Sequence, residues 1–135
     1  MQGAFETIRI VIAEDNADLC AAVSALLESE PDMSVVGTID SADTLLDVVR
    51  DGGARVVVLD LNLGGRSSVS AMEAMRRALP HVAVVIYSGY DREDVAIALP
   101  AGGAVEFVSK NGDVADLLLP GEPPGQRVVA AREQR

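Results

Sequence analysis

Residues 55–60 read RVVVLD: one basic residue, four consecutive branched aliphatics, then an aspartate. Gly52-Gly53 precede the run, and the polar, glycine-containing stretch Leu61–Ser68 follows it. A run this short and this apolar, bounded by turn signals, reads as a strand buried on both faces. Such strands belong to parallel sheets, where helices cover each side. Working outward, similar runs occur at Ile8–Ala13 (IRIVIA), Val82–Tyr87 (VAVVIY) and Ala104–Val108, with a shorter one at Met33–Gly37.

Helical patterns fill the intervals. Asn16 is placed to cap a helix whose apolar positions, Leu19, Val23, Leu26 and Leu27, share one face, and Glu30-Pro31 ends it. Ser41 caps a second helix through about Arg50, and Gly52-Gly53 stops it. Val69 to Leu79 forms a third, before Pro80; Asp91 to about Leu99 forms a fourth. Asp113 to Leu119 is a short last helix cut off by Pro120-Gly121. Strands alternating with helices imply right-handed β-α-β units. The expected fold class is α/β: a doubly wound five-stranded parallel sheet, order 2-1-3-4-5, with helices on both faces. Residues 1–119 make one domain, and residues 120–135 a linker or tail.

The totals narrow the function. A chain of 135 residues suits one domain, and 49% apolar residues supply a core. Aromatics are only 3%, so that core is aliphatic. No apolar run approaches the roughly 20 residues of a membrane span. The start, MQGAFETIRI, lacks the pattern of a signal peptide, and the lone Cys20 has no internal disulfide partner. A cytoplasmic location is expected. The net charge is −10, and the segment Pro120–Arg135 carries three Arg and two Glu, which leaves −11 upstream. With no basic stripe, direct nucleic-acid binding is not expected.

A parallel sheet binds ligands at the carboxyl ends of its strands. The first strand is followed by Glu14 and Asp15, the third ends in Asp60, the fourth leads to Ser88, and the fifth to Ser109 and Lys110. Three clustered carboxylates repel one another unless a cation joins them. Oxygen donors with no Cys or His cluster point to Mg²⁺, with Mn²⁺ as a substitute. Asp15 and Asp60 are the expected direct ligands, Glu14 acts directly or through water, and the backbone carbonyl of Asn62 completes the set. A carboxylate beside such an ion is able to attack a phosphoryl group. Lys110 and the Ser88 hydroxyl are placed to receive its oxygens. Gly64-Gly65 lack the GxxxxGK[ST] pattern of a nucleotide loop. Cys20 is expected to pack on the first helix and His81 to lie at the surface.

Together these pieces resemble bacterial two-component response-regulator receiver domains over about residues 7 to 119: IVIAEDN, VVVLDLNL, VVIYSGY and GGAVEFVSK, in that order. The resemblance implies a flavodoxin-like fold. It also implies phosphorylation of Asp60 by a sensor histidine kinase or phosphotransfer protein, Mg²⁺ dependence, and a conformational signal. It assigns Phe107 to an aromatic switch position and Tyr90 to one that tunes dephosphorylation. DLNL looks most like regulators with a C-terminal helix-turn-helix, for which residues 120–135 are too short. The chain is therefore either a stand-alone receiver or a piece of a longer regulator, signalling to a downstream partner or an output domain. The face of the fourth and fifth helices in this family often dimerises, so a homodimer is among the expected assemblies.

Gly64 stands where the family usually has Pro, and Ser68 where it has Gly. Pro100 and the short last helix also depart from the pattern. They leave room for a receiver-like module that binds partners without phosphorylation. A Mg²⁺-dependent phosphatase with an Asp nucleophile is a third reading, but it needs an acid/base two residues on. That position is Asn62, which cannot serve.

Overall fold

The computed structural model describes residues 7–89 and 105–118. Five parallel strands form one sheet: β1 (Ile8–Ala13), β2 (Met33–Ile39), β3 (Val56–Leu59), β4 (Ala83–Ser88) and β5 (Val105–Ser109). Their order is β2-β1-β3-β4-β5, as the alternating pattern predicts. The helices are α1 (Ala17–Glu28), α2 (Leu45–Gly52) and α3 (Val69–Ala78), with a 3-10 turn at Val114–Leu118. The expected helix at Asp91–Leu99, Tyr90, and the tail beyond residue 118 lie outside the described residues.

Side chains alternate across the strands and feed two aliphatic clusters. Val11, Val57, Leu59, Val84 and Ile86 face one side, with Leu45 and Val49 of α2 and Met72 and Met75 of α3. Ile10, Ile12, Val56, Val58, Val85 and Tyr87 face the other, with Val23 and Leu27 of α1 and Leu117 of the terminal turn. All four residues of β3 are buried, which explains its unbroken apolar run.

Local chemistry sets the helix ends. Asn16 Oδ1 accepts the Leu19 N–H at 3.0 Å and caps α1. The second helix opens differently from expectation. Ser41 Oγ caps a 3-10 turn, Ala42–Thr44, and the α-helix begins only at Leu45. Gly53 closes α2 in the left-handed conformation, φ 62°. Strand β2 runs two residues past the expected Gly37, to Ile39. Its register with β1 skips Val36, between the pairs Ile10–Val35 and Val11–Gly37. Leu61–Ser68 is not a plain loop. Asn62–Leu63 pairs antiparallel with Arg66–Ser67, and Gly64 and Gly65 make the turn at φ 61° and 80°. Two successive positive φ values define the turn that glycines allow at no steric cost.

Candidate phosphoacceptor site

The carboxyl ends of the strands carry the candidate residues one step beyond the regular ladder. The Glu14 N–H donates to the Ile39 carbonyl at 3.0 Å, the Asp60 N–H to Ala13 at 3.0 Å, and the Lys110 N–H to Ser88 at 2.8 Å. Each backbone is thus fixed by a bond to a neighbouring strand before its side chain does anything. Glu14, Asp15 and Asp60 converge, with one carboxylate oxygen of each within 4.8 Å of the others. The sequence expected this cluster, and its hard oxygen donors suit Mg²⁺ or Mn²⁺.

Lys110 ties the cluster together. Its Nζ lies 2.6 Å from Asp60 Oδ2 and 2.6 Å from Glu14 Oε1. The Glu14 side chain is only 3% exposed, and its Oε1 makes no aligned hydrogen bond, so the Lys110 charge is what answers it. Glu14 Oε2 accepts the Asn16 N–H at 2.9 Å. Burial acts to lower the Lys110 pKa, but the hydrogen bond to Asp60 and the adjoining Glu14 carboxylate outweigh it and hold the ammonium above its ordinary range. The same ammonium stands 5.9 Å over the Tyr87 ring, a cation–π contact. Burial raises the pKa of the Tyr87 hydroxyl against the opposing pull of Lys110.

Asp60 is buried, and its other oxygen, Oδ1, accepts the Asn62 N–H at 3.0 Å. Asn62 therefore meets Asp60 through its backbone N–H as part of the ribbon. Asp15 is exposed, and its Oδ2 accepts the Gly64 N–H at 3.0 Å. That bond is the leading reason its pKa lies below the ordinary carboxylate value. Ser88 is fully buried at the end of β4. Phe107 is partly buried and packs on the α2–α3 side of the sheet. Cys20 packs against the α1 cluster, and burial raises its thiol pKa; His81 is exposed, both as expected.

Sequence reasoning missed two contributors. Ser68 is wholly buried, and its hydroxyl donates to the Asp60 carbonyl at 2.7 Å. The Gly64 amide reaches Asp15 across 49 positions of sequence. Both sit at departures from the family pattern, which was the available signal; it was read as leaving room for a binding-only module.

A model of the family described as the response regulator receiver domain matches residues 10–119. The chain belongs to that family, whose general function is to accept a phosphoryl group on an aspartate in two-component signalling. The binding-only reading is not favoured. Among curated proteins, it is 28% identical over 111 residues to the transcriptional regulatory protein MctR of Rhizobium johnstonii, covering 82% of this chain and 52% of that protein. It is 33% identical over 103 residues to a protein-glutamate methylesterase/protein-glutamine glutaminase of Myxococcus xanthus, covering 76% of this chain and 30% of that one. The chain thus spans about half the length, or less, of these relatives. The signal receiver domain of the response regulator NarL from Mycobacterium tuberculosis has a similar structure. It aligns with a TM-score of 0.78 at 20% identity, over 96% of this chain and 99% of that one. No described helix is long and apolar enough to cross a membrane.

Proposed function

We propose that Asp60 is the phosphoacceptor and that Glu14, Asp15, Asp60 and the Asn62 carbonyl form the Mg²⁺ site, which Mn²⁺ also fills. The observation that carries this reading is the Lys110 ammonium held 2.6 Å from Asp60 beside three convergent carboxylates. When bound, Mg²⁺ offsets the charge that gathers on the phosphoryl oxygens. An Asp60 carboxylate oxygen forms the new bond to phosphorus as the bond to the donor nitrogen breaks, leaving an acyl phosphate. Lys110 then exchanges its contact with the carboxylate for one with a phosphoryl oxygen. The Ser88 hydroxyl, at the neighbouring strand end, donates to another. Phe107 serves as the aromatic switch that reports this change, and Tyr90 tunes hydrolysis.

The donor in this reading is a sensor histidine kinase or phosphotransfer protein in the cytoplasm. The signal passes to a downstream protein, an output domain or a second copy of the chain. Residues 1–119 form the receiver unit and residues 120–135 a linker or tail, and the negative charge argues against direct contact with nucleic acid.

Incubation with Mg²⁺ and a small phosphodonor, followed by intact mass spectrometry, tests the assignment. A single phosphoryl adduct on the wild type, absent from Asp60→Asn and from an EDTA control, is expected. An adduct that persists in Asp60→Asn would move the acceptor elsewhere.

A further inference from the structure

We propose that the backbone N–H of Gly64 is a positioning group for Asp15, holding that carboxylate ready for the divalent cation. The inference rests on the reading of Glu14, Asp15 and Asp60 as the metal site.

Asp15 follows β1 on an exposed turn; its own backbone and Glu14 also interact with the carboxylate, but the Gly64 N–H is the largest of these influences and comes from outside the loop. The Gly64 N–H donates to its Oδ2 at 3.0 Å from the tip of the ribbon that follows β3. The ribbon itself is anchored. The Ser68 hydroxyl donates to the Asp60 carbonyl at 2.7 Å, and the Ser68 N–H donates to Leu61 at 2.9 Å. The base of the ribbon is therefore tied to the acceptor's own backbone, while its tip reaches the neighbouring ligand. A proline at position 64 has no N–H to give, and a glycine at 68 has no hydroxyl. The two departures from the family pattern thus supply two donors that the usual residues lack.

A carboxylate offers about four lone-pair sites, so Oδ2 is able to keep the amide while Asp15 binds a cation. The ordering of an exposed side chain is then completed before the ion arrives, which strengthens binding.

The probe is Mn²⁺ alone, with free ion measured by electron paramagnetic resonance. Loss of one such hydrogen bond predicts about fivefold weaker Mn²⁺ binding in Gly64→Pro. Gly64→Asn keeps the N–H, tolerates positive φ, and has open space for its Cβ, so it should bind like the wild type. Because proline at 64 also disturbs the turn, a second measurement uses the intact chain. In ¹⁵N–¹H spectra the Gly64 amide should stay protected from exchange when Mg²⁺ saturates the protein, and should lose that protection in Asp15→Ala. If Gly64→Pro binds Mn²⁺ as tightly as the wild type, or if Mg²⁺ strips the amide of protection, the positioning role is overturned and the metal site stands. If the wild type binds no Mn²⁺, the metal reading fails, and this inference fails with it.

Discussion

Lys110 Nζ and Asp60 Oδ2 are 2.6 Å apart, and the same ammonium serves Glu14 at 2.6 Å. One cation thus stands against two buried carboxylates, with Asp15 close by. The arrangement is short of positive charge, which is the condition that draws in a divalent ion.

Removing that ammonium leaves Glu14 buried without a counter-charge. Lys110→Ala should cost about 2 kcal/mol of stability in EDTA, less than for a wholly buried pair because Lys110 is partly exposed. Millimolar Mg²⁺ should return most of the loss. Urea denaturation with and without the ion reads both quantities, and a loss indifferent to Mg²⁺ would separate Lys110 from the metal cluster.

Acid should expose the Gly64–Asp15 bond. The folded-state pKa of Asp15 lies below its ordinary value of 3.8, so its contribution is present above that value and disappears as pH falls through the folded one. In Asp15→Asn, the decline of stability below about pH 4 should be shallower than in the wild type. Urea midpoints across a pH series in EDTA check this; parallel curves would contradict it. Lys110 carries the opposite sign. Its pKa is raised above 10.5, so its contribution holds below that value and is lost as pH climbs through the higher folded one.

Gly53 closes α2 at φ 62°, and a Cβ there would meet the Arg9 side chain, Nε at 3.5 Å and Cδ at 3.9 Å, both ordinary contacts. The cost of Gly53→Ala is therefore conformational, about 1 kcal/mol. Gly53→Asn should cost less. Thermal melts of the three proteins rank them, and equal melting temperatures would refute the left-handed cap.

Asn16 holds two roles through different atoms. Its side chain caps α1, and its N–H binds Glu14 Oε2 at 2.9 Å. Asn16→Ala removes only the cap, at about 1 kcal/mol. Metal affinity should be unchanged, as a Mn²⁺ titration of that variant would show.

The strands were legible because burial on both faces leaves continuous apolar runs, and those runs located Glu14, Asp60, Ser88 and Lys110 at the strand ends. The polar stretch after Asp60 was less legible. Its order comes from backbone donors and from two glycines at positive φ, and neither produces hydrophobic periodicity. The late start of α2 was hidden for a similar reason. Ser41 caps a 3-10 turn as readily as an α-helix, and the residue types are the same.

Strand β3 lies between β1 and β4, hydrogen-bonded on both edges and covered on both faces. Amides in such a position open to solvent only with the whole domain, so those of Val57 and Val58 should be among the slowest to exchange. Asp60 is therefore mounted at the end of a strand that is paired on both edges and covered on both faces. The covalent change proposed there has little slack beneath it, and its mechanical effect has to travel sideways through the loops around the rim.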